Sequence, residues 1–376
     1  MAGDGAGVPD GVRMPVRPGL SPITAKDVAR EAGVHPSTVS RSLDPRQMGR
    51  VKPTTRLRIQ EVAGRLGYRP DLTASSLRRQ RTMTIGVLIP SFGNPIYGDL
   101  IHGINSELEP HGYQGLMIET PDGSNRLPAA LETLRGRRVD GIICATSRSE
   151  DRQVLLDLAS SGMPVILTLR WLAGLPIARV VNDDRLGGYL AGRHLISLGH
   201  RRIIEVPGTE DIETFADRSR GFREGLATAG IVPMPHDEQT ATPDVRQGRR
   251  LMAKLLASGA ADGATAVFAQ NDLLAVGAIE ALRDAGLRCP EDVSVMGFND
   301  SPLIDRLDPA LSTISMPMVE MGLRAAREIL LTVAGNDTAG DVVTVTPTLI
   351  ARASTAAPSK ANSRPGQRVG SSSTFP

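Results

Sequence analysis

Within the segment Thr24 to Leu43, TAKDVAREAGVHPSTVSRSL, the residues Ser37, Thr38, Ser40 and Arg41 have the chemistry to read a nucleic acid. Hydroxyls exchange hydrogen bonds with base edges and phosphates, and a guanidinium makes two parallel bonds to guanine or phosphate. Such residues work together only from the outer face of one short helix. The spacing provides it: Pro36 suits a first helical position, where its missing N–H would lack a partner, and Val39 and Leu43 point inward at i and i+4. Upstream, Thr24 with Asp27 makes a capping-box-like start, Val28, Ala29 and Ala32 share one side, Gly33 ends the helix and Val34 returns to the core. Two short helices joined at a glycine fit the DNA major groove. A helical hairpin inside a globular core has the same pattern, so context must decide.

Charge supplies part of that context. Met1 to Thr82 hold 15 Lys+Arg against 7 Asp+Glu, whereas the whole chain is formally +2. A basic excess confined to one end favours phosphate contact and salt-dependent binding over an ordinary solvated face. A third helix opens at Pro53, with Ile59, Val62, Ala63 and Leu66 on the side that covers the first two. Beyond Gly67 and Tyr68, the stretch RPDLTASSLRRQRT has too little apolar surface to fold alone, and its Arg78, Arg79 and Arg81 suit a linker beside phosphates.

At 376 residues and 40% hydrophobic, the chain can bury two or three domains. Cys144 and Cys289 lack paired spacing, so a reducing cytosol and unligated thiols are expected, with no metal and no cofactor. No run approaches a membrane span, and residues 1–20 lack the apolar region of a secretory signal. That start and the tail from Ala357 are rich in Gly, Pro or Ser and read as disordered. There is no GxxxxGK[ST], GxSxG or HExxH, and the six histidines have no ligand spacing, so no enzyme is expected.

From Met83 the texture is α/β. Strand-like runs occur at TIGVLIP, GLMIET, DGIICA, PVILTL, RVVND, RIIEVPG, AVFAQND and VSVMGFND, separated by helical stretches such as Asp99 to His111 and Leu186 to Leu198. Parallel sheets in two similar lobes are expected, with a ligand cleft beyond the carboxyl ends of the strands.

Together the motifs DVAREAGVHPSTVSRSLD, LGYRPDLTASSLRRQRT, IGVLIPSFGNPIY, HLISLGHRRI, DRSRGF, FAQNDLLAVGAIEALRDAG, VMGFND, LDPALSTISMP and LIARAST resemble, in order, the LacI/GalR family of bacterial transcription regulators. The resemblance covers Ile23 to Thr355. It implies a helix-turn-helix headpiece over 21–68, a hinge over 69–82 and a periplasmic-binding-protein-like core over 83–356. The lobes are expected at 83–181 with 310–335 and at 182–309 with 336–356, and tails at 1–20 and 357–376. It further implies a cytoplasmic homodimeric repressor on a pseudo-palindromic operator, with affinity controlled by a small effector: a sugar, sugar phosphate or related metabolite.

Carried over residue by residue, the family pattern puts Thr24, His35, Pro36, Ser37, Thr38 and Arg41 of the headpiece at the DNA. Tyr68, Ala74 and Arg78 follow in the hinge region, and Leu77 matches a leucine that wedges into the minor groove. At the effector it puts Ile96, Tyr97, Arg170, Arg218, Asp272 and Asn299. Tyr97 has a second reading as a half-buried helix-start residue, and Asp272 as a helix cap.

The chain departs from the family at Leu169 and Asn299, where relatives often carry aspartate. With Arg170 and Arg218 nearby and Trp171 adjacent, the departures admit an anionic or less hydroxylated effector, because unpaired buried guanidiniums need acceptors. His35 stands where serine commonly caps the recognition helix, Lys52 stands at a similar cap, and Asp71 replaces a frequent asparagine. The stripe Met318, Met321, Gly322, Ala325 and Ile329 reads as core or, on the family pattern, as subunit interface. The alternative reading, a solute-binding receptor of the periplasmic-binding-protein type without regulatory output, would explain the cleft alone and would need an export signal.

Overall fold

The computed structural model describes residues 23–43, 50–68, 81–121 and 126–359. The tail expected at 1–20, most of the hinge with Ala74, Leu77 and Arg78, and the final residues from 360 lie outside them. The chain forms two compact units, Met1–Gln80 and Arg81–Pro376.

In the first unit, α1 (Ala25–Glu31), α2 (Pro36–Ser42) and α3 (Pro53–Leu66) enclose a core of Val28, Ala29, Ala32, Val39, Ile59, Val62 and Ala63. Gly33 turns the chain between α1 and α2 at φ 60°, a conformation that costs glycine little. Pro53 is the first residue of α3, and Gly67 ends it at φ 66°. These are the three helices and the inward residues that the spacing predicts.

The second unit contains two lobes. Lobe 1 is a six-stranded sheet in the order β10-β5-β4-β3-β1-β2, from β1 (Thr84–Ile89), β2 (Gln114–Glu119), β3 (Gly141–Cys144), β4 (Val165–Thr168), β5 (Ala178–Asn182) and β10 (Val342–Val345). All of its pairings are parallel. One face carries α4 (Ile96–Leu108) and α11 (Met318–Val333), and apolar residues of α5 (Leu127–Gly136) and α6 (Arg152–Ser160) form a second cluster with those of β3 and β4.

Lobe 2 has the parallel sheet β6-β7-β8, made of β6 (Ile203–Val206), β7 (Ala266–Ala269) and β8 (Ser294–Met296). Its edge is continued by β9 (Thr313–Ser315), through bridges at Met296–Ser312 and Asn299–Ser315, and by β11 (Thr348–Ile350) antiparallel to β9. The helices are α7 (Asp184–Ser197), α8 (Glu213–Ala227), α9 (Val245–Ala257) and α10 (Asp272–Asp284).

This topology corrects the expected lobe boundaries. Residues 310–316, expected in lobe 1, join lobe 2 because β9 extends its sheet, and β10, expected in lobe 2, pairs with β5 of lobe 1. The chain therefore crosses between lobes after β5, before α11 and between β10 and β11. The eight runs read as strands are all strands, whereas β9, β10 and β11 were not foreseen. The helix expected from Asp99 begins earlier, at Ile96.

Glycines let the helices that flank the cleft approach each other. On α7 and α8, a Cβ on Gly188 would overlap the Arg218 carbonyl oxygen, and one on Gly221 would overlap that of Arg185. Backbone thus meets backbone, which fixes where Arg218 leaves α8. The methionine stripe of α11 is entirely buried in lobe 1, with Met321, Ala325 and Ile329 all at 0% exposure. It is core within one chain, so the stripe is no signal of a subunit interface.

Candidate functional site

The start of α2 is organised by three side chains. His35 Nδ1 accepts from Ser37 N at 3.2 Å, capping the helix as serine would, and lies 2.8 Å from Ser37 Oγ. Arg41 donates from Nε to the Ser37 carbonyl at 3.1 Å and from Nη2 to Ser37 Oγ at 2.8 Å. Ser37 and Arg41 are therefore one unit on an exposed face, with Pro36 beneath them as the first helical residue and Thr38 half-buried beside them. At the start of α1, Thr24 donates to the Asp27 carboxylate from N at 3.0 Å and from Oγ1 at 2.7 Å. Those bonds hold the Asp27 carboxyl below its ordinary value. Tyr68 packs against the headpiece core.

Between the lobes lies a cleft lined by Asn94, Ile96, Tyr97, Leu169 and Arg170 from lobe 1 and by Ile212, Thr214, Phe215, Arg218, Pro243, Asn271 and Asn299 from lobe 2. It holds about 30 Å³, room for about one water. The lobes are drawn together above it. Thr214 Oγ1 donates to the Leu169 carbonyl at 3.0 Å, Ser149 N donates to the Asp211 carbonyl at 3.1 Å, and Arg148 Nε donates to the Asp211 carboxylate at 2.5 Å. Two cleft residues that are not glycine sit at positive φ, Leu169 at 63° and Asn299 at 124°, a strained backbone held by its surroundings.

Arg218 is the best anchored cleft side chain. It is buried, donates from Nε to Asp184 Oδ1 at 2.8 Å and from Nη1 to the Gln270 carbonyl at 2.6 Å, and has Nη2 3.3 Å from Met316 Sδ. The guanidinium lies 3.8 Å above the Phe298 ring. Burial pushes the Asp184 carboxyl upward, and Arg218 pulls it back.

Of the six residues expected at the effector, the cleft brings together Ile96, Tyr97, Arg170, Arg218 and Asn299. Tyr97 is buried, at 4% exposure, rather than half-buried. Asp272 is absent from the lining. It is fully buried as the first residue of α10, accepting from Ser301 N and Thr313 Oγ1, both at 2.7 Å, and burial raises its pKa to about 6. Nor does it cap the helix. Asn271 does, accepting from Leu274 N at 2.7 Å, and Asn271 faces the cleft. Asn94, Thr214 and Phe215 were also missed. Asn94 precedes the helix-start Pro95, and Thr214 and Phe215 lie one helical turn before Arg218, a spacing that would have shown them.

Arg218 has three partners and Arg170 is engaged in an interaction, so neither is the unpaired residue on which the expected anionic effector depends.

The model of bacterial regulatory proteins, lacI family, matches residues 24–71, and that of the periplasmic binding protein-like domain matches 193–355. The chain is 33% identical over 337 residues to the HTH-type transcriptional regulator DegA of Bacillus subtilis, covering 88% of this chain and 98% of that protein. The chain belongs to the lacI family. It is likewise 32% identical over 333 residues to the ribose operon repressor of Haemophilus influenzae, covering 88% of this chain and 98% of that one. A solved lacI-family regulator from Enterococcus faecium with bound ribose is 33% identical, covers 73% of this chain and 99% of its own, and superposes with a TM-score of 0.63. As a lacI-family member the chain is a DNA-binding transcriptional regulator with an effector-binding core. Its relatives are regulators rather than enzymes. Among the described residues no helix is long and apolar enough to cross a membrane.

Proposed function

We propose that this lacI-family regulator is a cytoplasmic repressor whose operator affinity is set by a neutral, hydroxyl-bearing effector, a sugar, held in the cleft between the lobes. The observation that carries the effector class is the state of the polar atoms around Arg218. Its Nε, Nη1 and Nη2 are each engaged, while Asn299 Oδ1 in the cleft lining, and Asn182 Oδ1 and Asp184 Oδ2 outside it, are buried acceptors without a partner among the described residues. A ligand that supplies O–H donors relieves such atoms, whereas a phosphate or carboxylate would add acceptors where acceptors already go unmatched. The ribose bound by the Enterococcus faecium relative supports the same class.

Ile96, Tyr97 and Phe215 supply apolar walls, and Asn94, Asn271 and Asn299 supply neutral hydrogen-bonding groups. With room for about one water, the cleft must open to admit a sugar, so binding couples to lobe movement. At the output end, the Ser37–Arg41 unit reads the major groove from α2, and two headpieces of a homodimer address the two halves of a pseudo-palindromic operator.

Thermal-shift titration with ribose, other neutral pentoses and hexoses, and their phosphates tests the effector class. A neutral sugar should raise the melting temperature and alter operator affinity. Stabilisation by sugar phosphates alone would overturn it, and absence of salt-dependent operator binding would overturn the DNA-reading assignment.

A further inference from the structure

Lobe 2 carries a second, larger cavity on the other side of Phe215. It measures about 650 Å³ and runs between the end of β6, residues 215–223 of α8 and the loop Val232–Gln239. That volume is in the range of small-molecule sites. Phe215 lines both this groove and the cleft, and its ring presses on Gly208, where a Cβ would overlap it.

The floor of the groove is a buried carboxylate. Glu205, at 4% exposure, accepts at Oε1 from Gln270 Nε2 at 2.7 Å. Its Oε2 has Arg223 Nη2 at 3.3 Å, on a side chain 63% exposed. Gln270 is held in turn by Gly208 N, which donates to its Oε1 at 2.8 Å, and its carbonyl is the one that accepts from Arg218. On the same groove, Thr209 is 4% exposed and its Oγ1 is a buried atom with no hydrogen-bond partner among the described residues.

The remaining charges give the groove its sign. Four carboxylates, Glu205, Glu210, Asp237 and Glu238, line it against two guanidiniums, Arg220 and Arg223. Arg220 is drawn to Asp217 at 2.6 Å, Glu238 is shared with Lys254 at 2.7 Å, and His236 Nε2 lies 2.7 Å from the Glu205 carbonyl. Pro207, Pro233, Met234 and Pro235 supply apolar walls.

We propose that this groove is a second ligand site, distinct from the effector cleft, that takes a small aliphatic amine cation. The ammonium replaces the loosely held Arg223 on Glu205 Oε2 and donates a further bond to Thr209 Oγ1, while the alkyl body lies on the prolines and Phe215. A buried carboxylate reached by one exposed guanidinium favours a compact, desolvated cation with several donors. An anion would face the excess of carboxylates, and a neutral polyol would bring no charge with which to replace Arg223 on Glu205.

Isothermal titration of the full-length protein with putrescine, spermidine and agmatine, against butane-1,4-diol as the uncharged control, tests the proposal. At least one amine should bind saturably, once per protomer, with no uptake of the diol. Glu205→Gln should weaken that binding about tenfold or more. Thr209→Val and the exposed rim variant Asp237→Asn, which leave Glu205 in place, should weaken it severalfold, whereas the cleft variant Asn299→Ala should not. If no amine binds, or if the Glu205 and Thr209 variants bind as tightly as the parent, the groove is no amine site. Sugar titration reads the cleft separately, so either assignment can fail without the other.

Discussion

Arg218 and Asp184 form an ion pair with side chains 4% and 1% exposed, Nε donating to Oδ1 at 2.8 Å. Asp184 is the first residue of α7, placed just after the chain leaves β5 and enters lobe 2. The pair therefore ties α8 to one of the connections between lobes, and the helix N-terminus favours the carboxylate there.

Removing one partner of a buried pair strands the other charge without water or counter-ion, at a cost of about 3–5 kcal/mol. Asp184→Ala should lower the unfolding free energy of the core, read from urea melts, by that much and shift the midpoint down. Arg218→Lys should also be poorly tolerated, because one ammonium cannot reach Asp184, Gln270 and Met316 in the planar fork that guanidinium provides. Substituting the exposed partner Arg185 of the Arg185–Glu224 pair serves as the control and should leave the midpoint unchanged. Equal effects at the two sites would contradict the role given to burial.

Asp272 gives the core a pH dependence of definite sign. Its folded pKa of about 6 lies above the ordinary value of 3.8 because burial outweighs its bonds from Ser301 and Thr313. Between those values the folded protein binds a proton that the unfolded chain has released. The carboxyl's contribution to stability is thus complete below about pH 4 and is lost as pH rises through about 6, a change on the order of 3 kcal/mol. Asp272→Asn cannot ionise. Its penalty relative to the parent, from urea melts, should be larger at about pH 4.5 than at about pH 7.5, and an equal penalty at both would refute the assignment.

Asp272 also shows where sequence reading reaches its limit. One residue turns a helix by about 100°, so adjacent Asn271 and Asp272 face cleft and core respectively, and motif position alone does not separate them. Strands β1 to β8 were legible as apolar, β-branched runs. By contrast β9, β10 and β11 are no shorter than β8 but find their pairing partners, β8, β5 and β9, only through the way the chain crosses between lobes. Arg218 was legible as a residue, but its partners Asp184, Gln270 and Met316 come from three distant segments. Only the fold shows which groups engage its three nitrogens.

The closure of the lobes depends on Asp211 in a way that can be cut in part. Its side chain holds Arg148, while its carbonyl accepts from Ser149 N and Oγ at 3.1 Å each. Asp211→Ala removes the first link and keeps the second. Small-angle scattering of the effector-free core should show a larger radius of gyration, and sugar binding should weaken severalfold, because closure over the ligand loses a contact. An unchanged radius and affinity would mean that Thr214–Leu169 and the Ser149 bonds suffice.

At the DNA-reading end, His35 has taken over a cap by an unusual donor-acceptor arrangement. Its Nδ1 satisfies Ser37 N, while Ser37 Oγ, bonded to the same ring, also accepts from Arg41. Losing an N-cap costs about 1 kcal/mol, so His35→Ala should destabilise the headpiece by that amount, whereas His35→Ser should restore the cap. The two variants then separate folding from recognition. Both leave Arg41 intact, yet both remove the ring that holds Ser37 Oγ, so operator selectivity should change in both while headpiece stability falls only in the alanine variant. Selection of bound sequences from a random DNA pool, alongside thermal melts, reads the two effects. If His35→Ser kept the parent's selectivity, the ring would be a cap and nothing more, and base reading would rest with Ser37, Thr38 and Arg41 alone.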